Sequence, residues 1–143
     1  MEDRYLFKAK RLDNGEWEIG SLIALPTGEY EISNKCNNPP DCDPMWDKVV
    51  ITHKVDPSTI CQCTGLVDKN GKLIWENDIC DRKEEYPEIV KYNKGDWTLD
   101  YSYSEGKENG YCYCNLGFYA LERKYVEVIG NIFDNPELLE SEE

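Results

Sequence analysis

The chain has 143 residues, 40% hydrophobic and 12% aromatic, with 29 acidic and 16 basic residues and a net charge of −13. This length fits one ordinary domain, and the aromatic content excludes a disordered chain. The charge argues against a protein that grips a phosphate backbone, because such proteins use lysine and arginine to release counterions. It suits solubility, a basic partner, or mimicry of the charge of DNA.

The first 55 residues alternate apolar and polar side chains between turn signals. Tyr5, Phe7 and Ala9 share one face of a predicted strand, and "DNG" at 13–15 predicts a hairpin turn. Residues 34–44, with three asparagines and three prolines, predict a loop. The single histidine, His53, alternates with valine and isoleucine, so we interpret it as a core or edge residue and not a catalyst.

Residues 56–81 combine turn signals with several carboxylates. Asp56 and Pro57 predict the cap and first position of a short helical turn, and "DKNG" at 68–71 predicts a hairpin. A calcium loop starting at Asp68 fails, because its fifth, sixth and twelfth positions are lysine, leucine and isoleucine. In "END", residues 76–78, Asn77 is expected to have a positive φ.

The pair Glu76 and Asp78 is the strongest catalytic candidate in the sequence. Acid–base catalysis needs two carboxylates whose environments separate their pKa values. We expect both to lie in an exposed turn, where they would titrate alike, so neither is predicted to be catalytic. Trp75 is expected to be buried, and no metal is expected near Asp78.

Residues 88–143 continue the pattern of strand, turn and strand. "YSYS" and "YCYC" predict a hairpin whose aromatic residues either bind bases, sugars or a protein, or cover a core or subunit contact: Tyr101, Tyr103, Tyr111 and Tyr113. A last strand precedes a C-terminal turn with Asn135 as cap and Pro136 in its first position. Eight or nine short strands predict a mainly β fold with antiparallel pairing, as a sandwich or small barrel.

Seven cysteines include two pairs with one residue between them, Cys61 with Cys63 and Cys112 with Cys114. Four thiolates could hold one zinc ion. However, residues i and i+2 of a strand lie about 6–7 Å apart, too far for two ligands of one tetrahedral ion without a bend. We therefore expect small buried thiols, with no metal and no cofactor.

The stretch "VDPSTICQCTGLVDKNGKLIWENDIC" resembles the signature of YopX-type phage proteins. Further similarity lies in "GEWEIGSLI" (15–23) and "EVIGNIFDNPELL" (127–139), so the resemblance spans nearly the whole chain. Asn77 stands where the family usually has glycine. Trp75 replaces the tyrosine of the family pattern. The predicted structural motif comprises Asp56, Pro57, Thr64, Gly65, Asp68, Gly71, Trp75, Glu76, Asn77, Asp78, Gly130 and Asn131.

The resemblance implies a β-rich α+β protein with an SH3-like, partly open barrel in its C-terminal part, a phage or prophage origin, and no known activity or cofactor. We expect one unit over residues 1–135, with subregions 1–55 and 56–135, and an acidic tail over 136–143. We further expect Trp17, Trp75, Ile79 and Ile129 to fill the core.

The expected function is a non-enzymatic accessory protein that binds a host or phage protein or a second copy of itself. The alternative is a nucleic-acid-associated protein that binds single strands or mimics DNA. Neither a secretion signal nor an apolar run of about 20 residues is visible, so a cytoplasmic protein without membrane contact is expected.

Overall fold

The computed structural model describes residues 5–35, 50–81, 87–100 and 114–140. They fall into two compact units, Met1–Gln62 and Cys63–Glu143, and the predicted subregion boundary at residue 55 falls within the first unit. Strand pairing is antiparallel throughout the described chain, which confirms the predicted mainly β fold. The strands are β1 Phe7–Lys10, β2 Trp17–Ala24, β3 Tyr30–Lys35, β4 Val50–Val55, β5 Cys61–Val67, β6 Leu73–Trp75, β7 Asp78–Asp81, β8 Glu88–Asn93, β9 Asp96–Asp100, β10 Cys114–Asn115 and β11 Glu127–Asn131.

The first unit is a sheet in the order β4-β3-β2-β1, with the start of β5 beside β1. Beyond the end of β1, Arg11 forms a bridge with Val55 of β4. The Leu12 N–H also donates to the Lys54 carbonyl, at 3.0 Å. The sheet therefore bends until its first and last strands meet at one end, around a small core: Ala9, Ile32 and Val55, with Leu22, Tyr30 and Ile60 against them.

Gly20 lies at the corner of this bend. The first half of β2 pairs with β1, with Phe7 opposite Gly20, and the second half pairs with β3 from Ser21 onward. A Cβ atom on Gly20 would lie 2.2 Å from the Ser33 carbonyl oxygen. Glycine is needed here because the neighbouring backbone occupies the space of a side chain.

The second unit is built on an open sheet in the order β10-β9-β8-β7-β11, with β6 pairing to the end of β5. Its core is formed by Ile74, Cys80, Val90, Leu99, Leu116, Ala120 and Val126. Sheets among the described residues are open and close no barrel, so the SH3-like assignment stays a prediction.

Sequence reasoning missed one element of the second unit, a helical segment that begins at Leu116 and continues as a π-helix over Phe118–Arg123. The Asn115 Oδ1 atom accepts the Phe118 N–H at 2.8 Å. Leu116 and Ala120, four residues apart, are both buried. This spacing is the helical signal that the sequence offered, but the segment is too short for periodicity to predict.

Two of the predicted core residues are placed differently by the structure. Ile129 is 40% exposed, because a bulge between Val128 and Gly130 interrupts the pairing of β11 with β7. Trp17 is half-buried and lies opposite Lys10, on the face of β1 that is turned away from Ala9 and the core. Predicting that these two residues fill the core was therefore wrong, whereas Trp75 and Ile79 are buried as predicted.

Candidate interaction surface

Asp68 opens the "DKNG" turn and is buried, with 5% exposure. Its Oδ1 accepts the N–H groups of Asn70 and Lys72, both at 2.9 Å, and its Oδ2 accepts that of Val128 at 3.0 Å. Burial raises the pKa of Asp68, but these three donors favour the charged form more, and the net pKa is lowered. The carboxylate thus joins the turn to β11.

Asp78 was expected in an exposed turn, and this expectation was wrong. The residue is 3% exposed, and its Oδ2 accepts the Trp75 N–H at 2.8 Å. Glu76 is only half-buried, so the two carboxylates lie in different surroundings. The sequence could not show that Asp78 is buried, because its burial follows from its place as the first residue of β7.

Asn77 has φ 69°, which confirms the predicted left-handed conformation. Its N–H donates to the Val90 carbonyl, and its own carbonyl accepts the Ile132 N–H, at 2.9 and 3.1 Å. Lys91 Nζ reaches the Asn77 side-chain oxygen at 3.2 Å. Asn77 therefore connects the corner to β8 and to the residue after β11.

The motif residues near the C-terminus form a second turn. Asn131 Oδ1 accepts the N–H groups of Phe133 and Asp134, both at 2.9 Å. Asn135 occupies the predicted cap position, but its side chain accepts the Asn131 N–H instead of capping the turn at Pro136–Leu139. A Cβ on Gly130 would lie 2.6 Å from Asn135 Oδ1.

The remaining motif residues are also bound to the chain itself. Asp56 caps the 3-10 turn Pro57–Thr59 by accepting the Ser58 N–H at 3.0 Å, as predicted. The Thr64 hydroxyl donates to the Ile74 carbonyl at 2.7 Å. Gly65 and Gly71 have φ of 80° and 82°, a conformation that favours glycine. The motif is therefore a set of turns and backbone links.

Three of the cysteines, Cys61, Cys63 and Cys80, are buried. Burial raises the pKa of Cys80 well above its usual value, and the charge of Asp78 adds to this effect. A thiol held protonated is a poor nucleophile and a poor metal ligand. Within the described residues, no three acidic, histidine or cysteine side chains are grouped to hold a metal ion.

His53 lies on the inner side of the first unit's sheet, opposite Ile32. Its Nδ1 is 3.1 Å from Glu18 Oε2, which also lies 3.7 Å from the Arg11 guanidinium. The His53–Glu18 contact lacks hydrogen-bond geometry. The cluster joins side chains of β2, β4 and the residue after β1, and no nucleophile lies among these three.

A cleft in the second unit is lined by Asn93, Lys94, Asp96, Thr98 and Asn115, and has a volume of about 210 Å³. It is smaller than the roughly 300–1,000 Å³ of typical small-molecule sites. The Thr98 hydroxyl already donates to the Lys91 carbonyl, and Asn115 Oδ1 already accepts the Phe118 N–H. Two of its five lining residues thus already use a side-chain oxygen within the chain.

Large apolar side chains are exposed on the helical segment and just after its Lys124 cap. Leu116 and Ala120 pack into the core, while Phe118, Leu121 and Tyr125 are 44%, 58% and 53% exposed. Three large apolar side chains within eight residues are what a protein contact surface presents. We call these three residues the apolar patch. The four predicted tyrosines at 101, 103, 111 and 113 lie outside the described residues.

The chain is similar to one described protein family over most of its length. The model of the family described as YopX protein matches residues 7–140, and no curated protein matches the chain. Within the part of the chain that the structure describes, no helix is long and apolar enough to cross a membrane.

Proposed function

We propose that this chain, which belongs to the YopX protein family, is a phage accessory protein that binds another protein and performs no reaction itself. The observation that carries the proposal is the apolar patch. Phe118, Leu121 and Tyr125 stay exposed although the other side of their segment forms core, so their apolar surface is available to a partner.

The polar residues of the family motif support this proposal, because their side chains bind the backbone of their own chain. Asp68, Asp78 and Asn131 accept backbone N–H groups of their own chain. A catalytic carboxylate needs access to substrate and a pKa near the working pH. Asp68 instead is buried with a lowered pKa, as expected of a carboxylate that holds turns together.

Affinity capture from a bacterial host lysate tests the proposal with three forms of the chain. The wild type is compared with a patch variant, Phe118→Ser with Leu121→Ser. The matched control is Leu12→Ser with Val67→Ser, two apolar residues that are 61% and 40% exposed elsewhere. Circular dichroism checks that both variants fold.

We expect a protein, identified by mass spectrometry, that the wild type and the control retain and the patch variant loses. Binding is then repeated with that protein purified. Equal capture by all three forms, or a wild type that retains nothing, would contradict the proposal. Tight binding of a single-stranded oligonucleotide would favour the nucleic-acid alternative instead.

A further inference from the structure

β4 is the last strand of the first unit's sheet, and among the described strands it pairs along its length only with β3. One end of its other edge is covered, because the Leu12 N–H donates to the Lys54 carbonyl at 3.0 Å. Arg11 forms its bridge with Val55 beside this bond. The described contacts of this cover stop at Lys54, and we call residues 50–54 of β4 the open edge.

The backbone groups of the open edge point in a direction that the cover reveals. In an antiparallel sheet, alternate residues of a strand turn both their N–H and their C=O to the same side. The Lys54 carbonyl points away from β3, since it accepts from Leu12, and Val50 and Thr52 alternate with Lys54. Thr52 is exposed, and within the part of the chain that the structure describes its outward backbone groups have no hydrogen-bond partner. The open edge therefore offers a donor and an acceptor to a further strand.

A second copy of the strand matches the open edge when the two copies run antiparallel with Thr52 on a two-fold axis. The outward N–H and C=O of Thr52 then bond their symmetry mates, and the Lys54 N–H bonds the Val50 carbonyl of the second copy. An axis at either neighbour of Thr52 gives a shorter pairing, because β4 begins at Val50 and its cover begins at Lys54. The register centred on Thr52 is thus the one that uses the whole open edge.

The residue types that this register brings together are compatible. Thr52 lies opposite Thr52, and threonine pairs form hydrogen bonds across antiparallel strands. Ile51 lies opposite His53 of the second copy, which pairs a β-branched residue with an aromatic ring. Lys54 lies opposite position 50, which is uncharged, so no two like charges face each other across the axis.

Charge also favours this edge as the place where two copies meet. The chain carries −13, so two copies repel each other unless they meet where acidic side chains are few. β4 contains no acidic residue. The ammonium group of its lysine, Lys54, lies 3.1 Å from the carboxylate of Glu29, which offsets its charge. The open edge is thus a strand without unbalanced charge on an acidic chain.

We propose that the chain forms a two-fold dimer through the open edge, with Thr52 on the axis. The sheet of the first unit then continues from one copy into the other. The inference goes beyond the proposed function, because it concerns a second copy of this chain and an edge in the first unit, whereas the apolar patch lies in the second. Strands that pair over so short a length bind weakly, so we expect the dimer to form at high protein concentration.

Sedimentation equilibrium of the full chain, up to millimolar concentration, tests the proposal with Thr52→Glu and Thr52→Lys. Each variant places like charges opposite each other at the axis and should associate severalfold more weakly than the wild type. An equal mixture of the two should recover association, because glutamate then faces lysine. The matched controls are Ser21→Glu and Ser21→Lys, at an exposed residue of β2 away from the edge, and mixing them should change nothing. Circular dichroism checks that every variant folds.

A second pair of variants tests the backbone bonds themselves. Thr52→Pro removes an outward N–H and no bond to β3, so it should abolish the dimer. Thr52→Val keeps that N–H and should dimerise nearly as the wild type does. The patch variant should also dimerise as the wild type does, so a failure of this inference and a failure of the proposed function are distinguishable.

Three outcomes would overturn the inference. They are a wild type that stays monomeric at millimolar concentration, a Glu–Lys mixture at position 52 that associates no better than either variant alone, and equal effects at Ser21 and Thr52. A strand of a different protein is identified as the occupant if the wild type stays monomeric and Thr52→Pro, but not Thr52→Val, loses a protein captured from lysate. That result would also contradict the two-fold dimer.

Discussion

The two units of this chain hold antiparallel sheets together in different ways. In the first unit, a sheet bends sharply at Gly20, and its ends meet where Arg11 pairs with Val55. In the second, an open sheet is linked by side chains that bind distant backbone, such as Asp68 to Val128 across 60 residues. The fold of the first unit thus requires a residue without a side chain at Gly20. The fold of the second unit requires polar side chains such as Asp68.

Charge differs between the units as well. Residues 63–143 hold 18 of the 29 acidic residues and nine of the 16 basic ones. Among the described residues of the second unit, Asp68, Asp78 and Glu88 are buried, and the two aspartates accept backbone N–H groups. In the first, Glu18 is beside two basic side chains. Substitution should therefore damage the two units through different mechanisms.

The largest effect is expected at the corner of the first unit. Gly20→Val should lower the free energy of unfolding by at least about 3 kcal/mol, because the new side chain meets the Ser33 backbone. Gly28→Ala is the control: its φ is 90° but nothing lies near its Cβ, so only about 1 kcal/mol should be lost. Denaturant unfolding followed by circular dichroism measures both. Similar losses at the two glycines would show that the bend is not held by this close approach.

The next largest effect is expected at Asp68 in the second unit. Asp68→Asn should cost about 2 kcal/mol, because three part-buried N–H groups lose a charged acceptor and at least one of them would then face the NH₂ group of the new amide. Asp56→Asn, the matched change in the first unit, should be nearly neutral, since asparagine caps as well as aspartate. Equal losses of stability at Asp68 and Asp56 would show that the second unit does not depend on a buried carboxylate more than the first.

The same carboxylate predicts a dependence on pH. The pKa of Asp68 is lowered in the folded chain, so its contribution to stability is present above the unfolded value of about 3.9 and is lost as the pH falls through the folded value. Urea unfolding of the wild type and of Asp68→Asn between neutral pH and about pH 3 tests this. We expect the two curves to converge as the pH falls. A constant difference would mean that charge is not involved.

A smaller effect is expected at Asn77, where the backbone is left-handed. Asn77→Ala should cost about 1 kcal/mol, and Asn77→Gly less, because glycine adopts this φ without strain although it loses the contact with Lys91. Thermal melts of both variants measure the order. An alanine variant at least as stable as the glycine variant would show that the left-handed backbone does not limit the choice of residue at position 77.

The smallest effects are expected at exposed ion pairs in both units. Lys54 lies 3.1 Å from Glu29, and Lys69 lies 3.4 Å from Glu127, all at the surface. Solvent and salt screen such pairs, so neither Lys54→Ala nor Lys69→Ala should shift the unfolding midpoint beyond experimental error. A clear loss of stability in one unit alone would show that surface ion pairs contribute differently to the two units.

Much of the candidate surface was beyond sequence reasoning. Phe118 and Leu121 were missed because their helical segment is short and follows a region read as strand, and Tyr125 lies just after that segment. Lys8 and Lys10 both contact the Trp17 ring, and only the register of β1 with β2 brings that ring beside them. The four tyrosines predicted at 101–113 remain a prediction.

The sequence by itself determined the local structure of this protein. Alternation predicted the strands, and the turn residues predicted the left-handed Asn77 and the cap at Asp56, because these depend on a few neighbouring residues. The tertiary structure alone decided burial and partners. Asp78 turns inward, Ile129 turns outward at a bulge, and Asp68 reaches β11, since each outcome depends on backbone that lies far away in the chain.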